Sequence, residues 1–159
     1  MPIIIDGYNL LWAVQKTDED SGSISDVQLC RIIAEYLKLT DQKGEIVFDG
    51  IGPPDKSRFD NISNLEVIFT GRSADADTVI EDKIRANTAP SRLKIVSSDR
   101  RLRDAARQRK ATAVKSQLFW SNLHKRLSRR TAAKEPRAKR QGLNESETRI
   151  WLEFFGLEQ

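Results

Sequence analysis

Short, continuous apolar runs alternate along the chain with stretches of helical spacing. Runs at 2–5, 45–48, 65–70 (LEVIFT) and 93–97 (LKIVS) are rich in β-branched residues, and 112–114 is a short candidate fifth. Unbroken apolarity of this length suits strands buried on both faces of a parallel sheet. Between these runs, 27–39 carries Val27, Ile32, Ile33, Tyr36 and Leu37 at helical spacing, with Ser25 or Asp26 placed to cap it. The segment 75–87 repeats Ile80 and Ile84 four apart, 100–110 follows Asp99, and 117–129 carries Leu118, Leu123 and Leu127. Such alternation predicts an α/β sandwich with a mainly parallel central sheet. The GIGPP sequence at 50–54 cannot continue a regular element and reads as a turn or surface loop.

The pattern changes beyond 128. Residues 129–143 are basic and poor in apolar side chains, as expected of a linker or mobile arm. Residues 144–157 then read as a short amphipathic helix: Asn144 or Ser146 can cap it, Gly156 suits its end, and Ile150, Trp151, Phe154 and Phe155 form an apolar face. That face is expected to dock back on the domain at 1–128 or to bind a partner. A chain of 159 residues is enough for one such domain with an appendage.

Charge sharpens this division. The net charge of +4 conceals 15 Lys/Arg against two acids within 100–140, leaving 12 basic and 21 acidic residues elsewhere. Acids in one region and bases in another point to a metal site beside a surface for a polyanion, set against the plainer alternative of a solvated basic helix face. The single cysteine, Cys30, excludes an intramolecular disulfide and is expected to be a buried small hydrophobe in a reducing compartment. No secretory pattern and no run of about 18 apolar residues is visible, so a soluble, cytoplasmic protein without membrane attachment is expected.

The candidate chemistry lies in where the aspartates fall. Asp6, Asp49 and Asp99 each close an apolar run, and the C-terminal ends of parallel strands share the edge where ligands bind. Asp75, Asp77 and Glu81 open a helix; 77 and 81 are four apart and share a face. Crowded carboxylates disfavour one another's ionisation unless a cation neutralises them, and magnesium or manganese accepts such oxygen ligands while keeping several waters. Each aspartate taken singly has a plain alternative as turn former or helix cap, Asp75 above all. The D-x-D-x-T/V pattern of phosphatases of the haloacid dehalogenase type is also present at Asp75-Ala-Asp-Thr-Val. There the first aspartate must follow a strand, whereas Thr70–Ala74 reads as a loop. A receiver-like phosphoacceptor would need a lysine after a late strand, for which Lys115 is a weak candidate. No Cys/His pair and no glycine-rich phosphate loop is present.

These residues together resemble a known family. Asp6-Gly7-Tyr8-Asn9 after the first run resembles the opening motif of NYN domains, their YacP-like branch in particular. Val47-Phe48-Asp49, Val67-Ile68-Phe69-Thr70, Ala76-Asp77 and Ser97-Ser98-Asp99 follow in the order found there. The resemblance spans nearly the whole chain and implies a three-layer PIN-like fold with a Mg²⁺- or Mn²⁺-dependent ribonuclease site. By that resemblance Asp6, Asp77 and Asp99 form the acidic metal-binding core, and Asn9 orients a carboxylate, a water or a phosphate. Asp49 acts in or just outside the metal's ligand shell, and Glu81, Ser98 and Asp75 support it. The Ser-Ala-Asp-Ala-Asp sequence leaves two registers open; Asp77 is preferred because Ile80 and Ile84 then stay on the buried side.

An RNA partner follows from the same resemblance, with action at the ribosome as one setting. Arg100, Arg101 and Arg103 follow Asp99 directly and are placed to grip a phosphate. Lys125, Arg126, Arg129, Arg130, Lys134, Arg137, Lys139 and Arg140 would clamp flanking RNA or ribosomal RNA. Tyr8, in the loop expected after the first strand, either stacks a base or packs on the domain, with packing favoured. Trp12 and Trp120 read as core or helix-packing residues, and His124 as a non-catalytic surface histidine. A non-catalytic RNA- or ribosome-binding module on the same scaffold is the competing reading. The sequence does not set the oligomeric state.

Overall fold

The computed structural model describes residues 2–17 and 24–134. Five strands, β1 (Ile3–Asp6), β2 (Gly44–Phe48), β3 (Leu65–Phe69), β4 (Lys94–Val96) and β5 (Thr112–Val114), form one sheet in the order β3-β2-β1-β4-β5. Every pairing is parallel. Five helices accompany it: α1 (Gly7–Thr17), α2 (Asp26–Leu39), α3 (Ala76–Ala86), α4 (Arg100–Gln108) and α5 (Ser116–Lys134).

Side chains alternate across each strand, so a run apolar at every position must be covered on both sides. Ile3, Ile5, Ile46, Phe48 and Val96 join Leu10 and Val14 of α1, the buried face of α2, and Phe119, Trp120, Leu123 and Leu127 of α5 in one core. Ile4, Val47 and Ile95 point the other way, against Ile80 and Ile84 of α3 and Leu102 and Ala106 of α4. The three-layer α/β sandwich is therefore the one expected. β1 lies between β2, reached over the first face, and β4, whose onward connection α4 covers the second. That change of face makes the β1/β4 boundary the natural place for a ligand.

The expected strands recur with ends moved by a residue or two, as ends commonly are. α2 starts on a capping box: Ser25 Oγ accepts from the Gln28 amide at 3.2 Å, and Gln28 Oε1 accepts from the Ser25 amide at 2.9 Å. In the 50–54 turn, Gly50 and Gly52 both take positive φ, 96° and 78°.

Four expectations need correction. Residues after β1 are not a loop: α1 begins at once, so Tyr8 stands in its first turn. Trp12 is not core but 62% exposed, because α1 buries Leu10, Ala13 and Val14 and position 12 falls on the opposite side. On α5 the buried stripe runs through Phe119, Trp120, Leu123 and Leu127, one position out of phase with Leu118, which is exposed. The basic stretch expected to leave the domain at Arg129 instead prolongs α5 to Lys134. The proposed helix at 144–157 and the remaining basic arm lie outside the described residues.

Candidate active site on the acidic sheet edge

Asp6 ends β1 in the middle of the sheet, one step beyond the parallel pairing of Ile5 with Val96. That register brings it beside Ser97, whose Oγ donates to Asp6 Oδ2 at 3.1 Å. The same hydroxyl accepts from the Asp99 amide at 3.0 Å, so one serine ties the two strand ends together. Gly7 makes the turn from Asp6 into α1 possible: a Cβ there would lie 2.5 Å from the Phe48 ring and 2.9 Å from the Val47 carbonyl oxygen. Glycine in this motif is therefore a packing requirement.

Asn9 follows one turn later and braces the neighbouring loop. Its Oδ1 accepts from the Ser98 amide at 2.9 Å and from Ser116 Oγ at 2.7 Å. Ser98 Oγ in turn donates to Gln117 Oε1 at 2.8 Å and accepts from the Ser116 amide at 3.2 Å. Asn9, Ser98 and the fully buried Ser116 thus lock the loop carrying Asp99 to the start of α5. Asp99 also caps α4, accepting from the Arg101 amide at 2.8 Å. Sequence reasoning missed Ser97 and Ser116. Each works through a partner distant in sequence, and only the strand register reveals it.

The two acids of the helix start differ in what they bond. Asp75 is exposed and accepts from the Thr78 amide at 2.7 Å, a bond that holds its carboxyl below the ordinary value. Asp77 is half-buried, and its carboxyl is raised by burial and then by the charge of Asp99. Asp6, only 7% exposed, is pushed up to about 6, first by burial and then by the charges of Asp77 and Asp99, which outweigh its bonds to Ser97 and the Asn9 backbone. Asp6, Asp77 and Asp99 therefore stand within one another's electrostatic reach. Asp49, exposed beyond β2, adds to the field at Asp77.

Above these carboxylates lies a cleft of about 720 Å³ lined by Asp6, Asn9, Asp49, Asp75 and Asp77, with Tyr8, Leu11, Trp12 and Gln15 of α1 along one wall. Asp6, Asp77 and Asp99 are the residues that could hold a divalent cation, with Asp49 further out. The donors are all carboxylate oxygens, the chemistry magnesium and manganese prefer, and the raised Asp6 is what a shared positive charge would relieve. Among the described residues, no three carboxylate, imidazole or thiol side chains already form a group able to enclose one ion. The arrangement suits a largely hydrated ion held by one or two carboxylates at a time, not a closed protein cage.

The basic residues divide. Arg101 is held at the acidic edge by an ion pair with Glu81, its Nε donating at 2.7 Å, so Glu81 braces an arginine. Arg100 projects into solvent with a loose contact to Asp104 at 3.8 Å. Arg103 is half-buried, with a buried Nη1 that has no hydrogen-bond partner. Lys125, Arg126 and Arg129 are exposed along α5. The side chains of Arg130 and Lys134, and all of Arg137, Lys139 and Arg140, lie outside the described set.

A parallel sheet carrying aspartates at its C-terminal edge, with a helix-borne acid facing them, is the layout of a PIN-like nuclease family. Within that class the family model of the YacP-like NYN domain matches residues 3–153, and the chain belongs to this family. The crystal structure of Rae1 (YacP) from Bacillus subtilis superposes with a TM-score of 0.64 at 23% identity, covering 98% of this chain and 92% of that one. A tryptophan-to-leucine mutant of Rae1 gives 0.61 at 23% identity over 87% and 86%. These likenesses establish the shared fold. No curated protein sequence matches the chain. Among the described residues no helix is long and apolar enough to cross a membrane.

Proposed function

We propose that this chain is a metal-dependent endoribonuclease that hydrolyses RNA phosphodiester bonds at the Asp6–Asp77–Asp99 cluster, in the cytoplasm, in RNA decay or processing at the ribosome. The observation that carries the proposal is that acids from β1, α3 and the cap of α4 gather at one edge, where burial and the charge of Asp99 raise Asp6 and Asp77 above the ordinary carboxylate value. Carboxylates raised by burial and by neighbouring charge in a cleft are characteristic of functional sites.

Asp6 and Asp99, joined through Ser97, are the fixed donors, and Asp77 closes the set from α3. Asn9 and Ser116 keep the Asp99 loop from drifting. Arg101 supplies a guanidinium at the same edge, able to meet charge on a phosphate as it exchanges with Glu81. Bound Mg²⁺ or Mn²⁺ would supply a water of lowered pKa as nucleophile and would neutralise charge on the phosphate. The exposed cations of α5 give flanking RNA a sequence-independent grip.

The second reading is an RNA- or ribosome-binding module, favoured by the lack of a ready three-donor group among the described residues. Incubating the protein with a mixed RNA pool, with and without Mg²⁺ or Mn²⁺, decides between them. Cleavage that needs the ion and disappears in Asp6→Asn and Asp77→Asn, while RNA binding persists, is the expected result. Binding without cutting by the wild type would establish the module instead.

A further inference from the structure

The wall of the cleft opposite the acids is aromatic, and its chemistry is not that of a metal site. Tyr8, Leu11, Trp12 and Gln15 all line it, at the spacing that places them along one face of α1. Tyr8 is 42% exposed, with its ring set edge-on against Phe48 at 4.9 Å between centroids. Trp12, one turn further on, is 62% exposed. Lys16, another turn along, holds its ammonium 4.3 Å from the centre of the Trp12 ring.

An indole presented to water is unusual for a residue of this size, and its companion tryptophan on α5, Trp120, is buried. We infer that Trp12, supported by Tyr8 and Lys16, is a stacking platform for an unpaired nucleobase of single-stranded RNA next to the acidic cluster. The inference rests on the RNA reading above and narrows it to a substrate whose base is splayed out of any duplex at that point.

Three observations favour a base over another apolar occupant. The platform is continuous with the cleft that holds Asp6 and Asp77. The acids repel phosphate, so a strand crossing the cleft gains there from an uncharged π-face, and aromatic side chains provide that for any base. Lys16 also holds its ammonium over one face of the indole, which leaves the other face for a base and puts a cation near that nucleotide's phosphate.

The test titrates a short single-stranded RNA and its duplex into the full chain in EDTA, where no ion-dependent cutting occurs, and follows tryptophan fluorescence. Quenching by the single strand and not by the duplex is expected. Trp12→Ala should abolish the quenching and weaken binding roughly ten- to hundredfold, and Trp12→Phe should recover much of the affinity. With Mg²⁺, Trp12→Ala should raise KM while leaving kcat nearly unchanged.

Failure of this inference is separable from failure of the nuclease reading. If the protein cuts RNA but Trp12→Ala leaves affinity, fluorescence response and KM unchanged, the platform is wrong and the nuclease stands. Trp12-dependent binding without cutting would keep the platform on a binding module. A Trp12 signal that instead answers to removal of residues 144–157, and not to RNA, would make the chain's own C-terminal segment the occupant and overturn the proposal.

Discussion

Asp6 and Asp49 close neighbouring strands, β1 and β2, yet their carboxylates stand in different surroundings. Asp6 is buried and receives the Ser97 hydroxyl at 3.1 Å, and that serine also receives the Asp99 amide. Asp49 is exposed, with a long contact from Thr70 Oγ1 at 3.4 Å. The β1/β4 half of the edge has a braced second layer of Ser97, Asn9, Ser98 and Ser116; on the β2/β3 half Thr70 Oγ1 accepts from the Gly50 amide at 3.0 Å but leaves Asp49 facing solvent. A strand-end aspartate is thus a position, and the hydrogen-bonded layer behind it makes the position a site.

Breaking the two halves separately tests this contrast. The largest effect is expected from Asp6→Asn, a loss in kcat on the order of a thousandfold or more, because metal-borne charge stabilisation is worth several kcal/mol in the transition state. Single-turnover cleavage of a labelled RNA measures it. Ser97→Ala removes no ligand but frees Asp6 from Asp99, and a loss of roughly 10- to 100-fold is expected, as for other residues that orient ligands. Ser97→Thr, which keeps a hydroxyl, should recover part of it. A Ser97→Ala enzyme with full activity would remove the bracing layer from the explanation.

The same contrast marks how far the sequence could be read. The sheet was legible because runs such as Ile3–Ile5 and Ile46–Phe48 are apolar at every position, which only a strand covered on both faces tolerates. Asp6, Asp49 and Asp99 stood out because each closes such a run, and Asp77 because it opens a helix. The preference for Asp77 over Asp75 rested on keeping Ile80 buried, and the cap bond from Thr78 to Asp75 gives it a second reason. What stayed hidden depends on three dimensions. Ser97 and Ser116 are ordinary serines until the register sets them against Asp6 and Asn9. α1 escaped notice because it opens on Gly7 and displays Tyr8 and Trp12 outward, breaking the apolar stripe. Composition alone does not distinguish Trp12 from Trp120.

A smaller effect concerns stability. Asp6 is held at about 6 against an ordinary 3.8, so the folded chain keeps this proton more tightly than the unfolded one. Stability therefore falls as pH rises from about 4 to 6, and above that range the buried charge costs the fold on the order of 3 kcal/mol. Asp6→Asn removes the charge while its amide oxygen still accepts from Ser97, so the variant that cuts worst should be the more stable at neutral pH. Urea unfolding in EDTA checks this: the advantage should vanish near pH 4. Saturating Mg²⁺ should raise the wild type's midpoint and leave the variant's in place.

The smallest effect is expected on the open half. Asp49 acts on Asp77 through exposed solvent and is the weakest of the charges felt there, and in water even a charge at about 4 Å is worth only about 1 kcal/mol, or roughly fivefold. Asp49→Asn should therefore change kcat/KM by no more than that. Its direction on Asp77 is also set: because the Asp49 charge raises Asp77, removing it lowers the Asp77 carboxyl. Thr70→Ala, which removes the 3.4 Å contact to Asp49 and the 3.0 Å bond from the Gly50 amide, should change less still. A loss in Asp49→Asn as deep as in Asp6→Asn would mean that Asp49 reaches inward to the ion as a direct ligand. The two halves of the edge would then be equal partners, and the bracing layer behind Asp6 would no longer account for the difference between them.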